Sequence, residues 1–154
     1  MERLICKDFE EFRRLEGTDL PIGNWITVTQ EMINSFSEAT LDYQWIHVDV
    51  EKAKKYSPFK APIAHGFMSV SLLSKMLEDV AVIESAQMGV NYGLNKVRFP
   101  SPVIVNSKLR LISKIGKIEG YDAKGLKITW NCLVEIEGSE KPACVAEFVS
   151  LMFE

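Results

Sequence analysis

Long uncharged apolar runs are missing from this chain. No segment reaches the roughly 18 apolar residues that cross a bilayer. The N-terminus, Met1-Glu2-Arg3-Leu4-Ile5-Cys6-Lys7-Asp8, carries charge where a signal peptide needs an apolar stretch. Cysteine is scarce as well. Three widely spaced residues, an odd number, argue against a disulfide framework and fit a reducing cytoplasm. There is no basic excess: the net charge is -3 and the lysines and arginines are scattered, so nucleic acid finds no electrostatic footprint. Internal repeats and low-complexity segments are absent too. Gly89-Val90-Asn91-Tyr92-Gly93 lacks the glycine spacing of a dinucleotide fingerprint, and no strand-to-helix turn follows it. What remains is an ordinary globular composition, 47% hydrophobic and 25% charged over 154 residues. That length suits a single domain, residues 1–154, burying roughly 70% of its unfolded surface. The expectation is a cytoplasmic protein with no nucleic acid or membrane partner.

Taken in order, the residues alternate between helix and strand signals. Phe9, Phe12 and Leu15 sit among charges at spacings of a short amphipathic helix over 7–16. Trp25 to Val28 is a short strand. Thr29 is placed to cap a helix to about Thr40, with Met32, Ile33, Phe36 and Ala39 on one face. Asp49 caps another, which must end before Pro58. From His65 to about Glu84 apolar residues cover nearly the whole circumference, which predicts one long buried helix. Strands follow at 92–99, 108–119, 126–136 and 143–153. The third alternates strictly, with Leu126, Ile128, Trp130, Cys132, Val134 and Ile136 on one face. A buried helix followed by antiparallel strands implies an α+β domain whose sheet wraps the helix.

Chemistry concentrates in one region. Both histidines of the chain, His47 and His65, lie in 40–66, and Asp42 precedes the first by five residues. A carboxylate and an imidazole held close together can share a water, one taking its proton and the other returning a proton to the substrate. His65-Gly66 opens the long helix, where backbone N–H groups are unpaired and glycine lets a ligand approach. Such a site could stabilise an enolate oxygen developing from a thioester. Each element alone has a plain structural explanation: Asp42 as a turn residue, His47 as a satisfied buried side chain, Gly66 as a tight junction. Ser69, Ser71 and Ser74 suit helix packing. Asp42, His47 and Asp49 lack the helical i, i+4 pairing of common zinc motifs, so no metal is expected. Cys132 and Cys144 fall within strands, where a small apolar role is expected.

The two elements together resemble the signature of MaoC-like dehydratases, which include the (R)-specific enoyl-CoA hydratases. The matching residues are Asp42, His47, Asp49 and Ala53, then Pro62-Ile63-Ala64-His65-Gly66. Gln44-Trp45-Ile46-His47-Val48-Asp49, Ala64-His65-Gly66-Phe67, Tyr92-Gly93-Leu94 and Val97-Arg98-Phe99-Pro100 are similar to the nodulation protein N-like branch. The likeness spans about residues 25–150. It implies a hotdog fold, a long central helix wrapped by an antiparallel sheet, usually dimeric through sheet pairing. It also implies (R)-specific hydration of trans-2-enoyl-CoA thioesters, or dehydration of (R)-3-hydroxyacyl thioesters, in fatty acid metabolism. Asp42 and His47 would be catalytic, with Gly66, His65 and Ser74 binding substrate. The substrate would be an acyl-CoA, with no separate cofactor, and the assembly a homodimer. A hotdog acyl-CoA thioesterase and a non-catalytic acyl-thioester-binding protein are the alternatives. One departure stands out: Leu41 occupies the position that the family gives to glycine. A branched side chain resists positive φ, which predicts a narrowed site or a displaced Asp42.

Overall fold

A computed structural model describes residues 2–154. The elements are β1 (Leu4–Cys6), α1 (Phe9–Arg13), β2 (Ile26–Thr27), α2 (Gln30–Thr40), α3 (Trp45–Val48), α4 (Val50–Tyr56), α5 (Gly66–Ser71), α6 (Leu73–Val80), β3 (Ala81–Ile83), β4 (Met88–Arg98), β5 (Lys108–Tyr121), β6 (Gly125–Ile136) and β7 (Cys144–Phe153). Five strands form an antiparallel sheet in the order β2-β5-β6-β7-β4. Register shifts between Ile115 and Lys117 and along the β4–β7 pair bend it. At the first of these, a Cβ on Gly116 would stand 2.9 Å from the Thr129 carbonyl oxygen, so only glycine fits. The curled sheet cradles α5 and α6, which is the hotdog arrangement.

Packing follows the sequence pattern. The alternating residues 126–136 turn Leu126, Ile128, Trp130, Cys132, Val134 and Ile136 inward, all buried. They meet Met68, Leu73, Met76, Leu77 and Val80 from the helix. Phe12 of α1 closes one end, its ring 5.8 Å from Trp130, whose indole N–H donates to Ser150 Oγ at 2.8 Å. Buried aromatic N–H groups need such a partner. Burial pushes the thiols of Cys132 and Cys144 up to about 12 and about 11. A thiol reagent at pH 8 should therefore label neither in the folded protein, and labelling should proceed only at the rate of unfolding.

The long helix differs from expectation in three ways. It breaks at Leu72, stops at Val80, and is not buried all round. Ser71 Oγ donates to the Phe67 carbonyl at 2.8 Å, a back-bond that bends helices. The main-chain ladder nevertheless carries on past Leu72, with Leu72 N–H to Met68 O and Met76 N–H to Leu72 O. Ala81–Ile83 leaves the helix to pair in parallel with Leu4–Cys6, a long-range contact that no local pattern announced. Phe67, Ser71, Ser74, Lys75 and Glu78 form an exposed stripe, because the sheet covers one side of the rod. The first helix is shorter than 7–16, and Ala39 is exposed while Ser37 takes its place in the buried stripe of α2. No helix among the described residues is long and apolar enough to cross a membrane.

Candidate active site

Three short elements bring the conspicuous residues together. Helix α2, capped by Thr29 Oγ1 accepting from Met32 N–H, ends at Leu41 in the left-handed region, φ 61° and ψ 20°. The chain turns there, and Asp42 Oδ1 accepts the Gln44 N–H at 3.3 Å. It then winds into α3, a single turn. Asp49 Oδ1 caps α4 by accepting from Lys52 N–H at 2.9 Å. The extended strap at 62–65 returns beside α3, with Ile63 N–H donating to the Ile46 carbonyl at 3.1 Å. It delivers His65 as the residue preceding α5.

His47 is buried, 6% exposed, and its position is fixed from both sides. Its Nδ1–H donates to the Ile63 carbonyl oxygen at 2.6 Å, and its own carbonyl accepts from Gln30 Nε2 at 2.7 Å. Because a carbonyl can only accept, the proton of the neutral ring is on Nδ1, and Nε2 keeps its lone pair. Burial, the largest influence, holds His47 below the usual imidazole value, and the neighbouring His65 acts in the same direction. The Ile63 carbonyl and Asp42 oppose this without cancelling it. His47 is thus poised as a neutral proton acceptor at physiological pH.

His65 lies behind His47, with ring centroids 3.8 Å apart and planes 25° from parallel. A carboxylate oxygen of Asp42 and ring nitrogens of both histidines fall within 4.8 Å of one another. That cluster has the donor types of a metal site but not the directions. Imidazole lone pairs lie in the ring plane, so stacked rings send them side by side rather than toward one centre. Asp42 itself is half exposed, facing the solvent from which a water would come.

The remaining site residues are placed apart. Gly66 is the first residue of α5, where the N–H has no intrahelical acceptor. A Cβ there would lie 2.9 Å from Phe99 Cδ2, so glycine allows the Phe99 ring to close over the helix start. Ser74 lies roughly 12 Å beyond Gly66 along the helix at about 1.5 Å per residue, and its Oγ donates to Asn91 Oδ1 at 3.0 Å. There it lines a cavity of about 430 Å³ with Leu77, Asn91, Trp130, Phe148 and Met152. Sequence reading missed Ser37 and Gln30. Ser37 is fully buried next to His65, 3.3 Å from its Nε2. A serine four residues after Ile33 on an apolar helix face was the available signal.

Leu41 does not narrow the site. It adopts the left-handed conformation that the motif demands and turns its side chain to solvent, 75% exposed. That conformation costs a non-glycine residue about 1–2 kcal/mol. Leu41→Gly should relieve it, offset by the looser unfolded chain, for a gain of about 1 kcal/mol and a rise in Tm of about 2–4 °C in thermal denaturation.

A family model described as the MaoC like domain matches residues 11–133. The 3-hydroxyacyl-thioester dehydratase Z of Mycobacterium tuberculosis is 46% identical over 133 residues, covering 86% of this chain and 87% of that protein. Nodulation protein N of Rhizobium leguminosarum bv. viciae is 41% identical over 137 residues, covering 88% and 85%. Among solved structures, the R-hydratase PhaJ1 of Pseudomonas aeruginosa shares the fold, with a TM-score of 0.68 at 19% identity over 90% of this chain and 81% of that one.

Proposed function

The chain belongs to the MaoC-like dehydratase family, and from that premise we propose that it is a hydro-lyase adding water to trans-2-enoyl-CoA thioesters. The reverse reaction dehydrates (R)-3-hydroxyacyl thioesters. The observation that carries this reading is the neutral His47, with Nδ1 tied to Ile63 and Nε2 free, beside the Asp42 carboxylate. Asp42 orients a water by accepting one of its hydrogens. His47 Nε2 takes the other proton as the water oxygen bonds to C3 of the enoyl chain. Electrons move to the thioester oxygen, which the Gly66 N–H stabilises as an enolate. A proton from the Asp42–His47 pair then reaches C2, so the elements of one water are added and the pair returns to its starting state. The substrate brings its own coenzyme A, and no other cofactor enters the scheme. The acyl chain extends along the helix toward the cavity that Ser74 lines.

The partner is a second copy of the chain. Strand β4 is an edge strand of 11 residues, exposed along nearly its whole length, with Met88, Val90, Tyr92 and Leu94 uncovered. Long apolar edges are seldom left open. Sedimentation should give twice the chain mass, and lysine at both Val90 and Leu94 should return it to the monomer.

The assay that separates the readings uses crotonyl-CoA with two detectors. Hydration removes the enoyl absorbance and releases no thiol. A thioesterase would release free coenzyme A, and a binding protein would do neither. Release of thiol at the rate of absorbance loss would overturn the proposal.

A further inference from the structure

The second histidine has a duty that its place beside Gly66 did not suggest. We infer that His65 is the positioning residue of the acid–base pair, its ring backing His47 while its Nε2–H holds the main-chain carbonyl of Asp42. This rests on the reading of Asp42 and His47 given above.

Four observations support it. His65 is only 4% exposed, so it is screened from any substrate. Its Nε2 lies 3.1 Å from the Asp42 carbonyl oxygen, 3.3 Å from Ser37 Oγ and 3.8 Å from Asp42 Oδ2. A carbonyl acceptor requires the proton on Nε2, which leaves Nδ1 unprotonated. Nδ1 is buried with no partner among the described residues. Finally, the ring is clamped, with His47 stacked at 3.8 Å and Phe36 tilted at 5.0 Å.

The need for a tether is local. Asp42 follows Leu41, which is strained in the left-handed region, and both neighbours, Leu41 and Tyr43, are exposed. Within this loop the carboxylate is restrained by one long bond, from Gln44 N–H at 3.3 Å. His65, by contrast, rides on a rigid strap. Ala64 N–H donates to Val103 O at 2.8 Å, and Val105 N–H donates to Pro62 O at 2.9 Å. One side chain thus links an exposed loop to the buried scaffold and sets the distance between the acid and the base. An isolated buried acceptor, Nδ1, is the unfavourable side of this arrangement. A purely packing residue would be better apolar.

Two variants separate the tether from the packing. His65→Phe keeps a ring between Phe36 and His47 but has no donor. His65→Gln loses the ring and retains an amide N–H near the Nε2 position. For crotonyl-CoA hydration, His65→Phe should lower kcat about 100-fold with KM changed less than about 3-fold, since a misplacement of about 1 Å has that consequence. His65→Gln should recover kcat to within about 10-fold of wild type. A His65→Phe enzyme with wild-type kcat, or one affected only in KM, would overturn the inference. A second measurement does not depend on turnover: long-range ¹⁵N–¹H spectra of the wild-type imidazoles should show His65 as the Nε2–H tautomer and His47 as the Nδ1–H tautomer. Should the wild type prove inert, the hydration reading falls and these spectra alone decide the tether. The Nδ1–H form of His65 would end it.

Discussion

Replacing His47 with glutamine is expected to lower kcat for crotonyl-CoA hydration by roughly 10²–10⁴, the range of a lost general acid–base. The side chain would still fill most of the space, so folding is largely kept. What it lacks is a basic nitrogen where Nε2 stands. The effect should fall on kcat, because the interaction removed is one made as the proton moves. The pH profile gives the same residue a second signature. Only neutral His47 can accept a proton, so the rate declines as pH falls through its pKa. Burial and the adjacent His65 hold that pKa below the usual 6.5. The wild-type rate should therefore remain at its plateau through neutrality and decline only below pH 6.5. In His47→Gln that limb should vanish from the residual activity. A limb unchanged in the variant would assign it to another group.

Gly66→Ala is expected to disturb stability and activity together. The new methyl would lie 2.9, 3.0 and 3.1 Å from Phe99 Cδ2, Cγ and Cε2. Contacts this short must be relieved by movement. The Phe99 ring, 37% exposed and leaning on Phe67 at 5.7 Å, is the part able to move. Overpacking of this kind costs about 1–3 kcal/mol, read as a lowered denaturation midpoint. Activity should fall by more than stability implies, since the methyl also occupies the approach to the Gly66 N–H, and losing one oxyanion donor costs about 10²–10³ in kcat. The two parts come apart in a double variant. Adding Phe99→Ala removes the clash and should restore most of the stability lost to Gly66→Ala, while kcat stays low. Full recovery of kcat in the double variant would reduce Gly66 to a packing role.

Much of this was legible because it is local. The alternation at 126–136 has the period of a half-buried strand, and the structure keeps every one of its six inward residues buried. Thr29 and Asp49 were recognisable caps, because capping depends on a side chain and an N–H three residues on. Asp42, His47 and Gly66 stood out through their joint order in the motif. What escaped depends on distant contacts. The end of the long helix is set by β1, 77 residues away in sequence, which draws Ala81–Ile83 into a parallel pair. The interruption at Leu72 is local, beside the back-bond from Ser71 Oγ to the Phe67 carbonyl, and the apolar pattern runs through it without a sign. Leu41 misled for a physical reason as well. Steric preference argued against positive φ, yet the helix end demands it and the exposed side chain meets nothing that would forbid it. The family resemblance grouped His65 and Ser74 with Gly66 as substrate-binding residues. In the fold one is buried behind the pair and the other faces Asn91.

The central claim is that one water is added across the enoyl double bond by the Asp42–His47 pair. It is tested most directly by letting the wild-type protein act on crotonyl-CoA in deuterated water and analysing the product. The account predicts (R)-3-hydroxybutyryl-CoA with the thioester intact and one deuterium at C2. Crotonate with free coenzyme A, or unchanged crotonyl-CoA held by the protein, would contradict it.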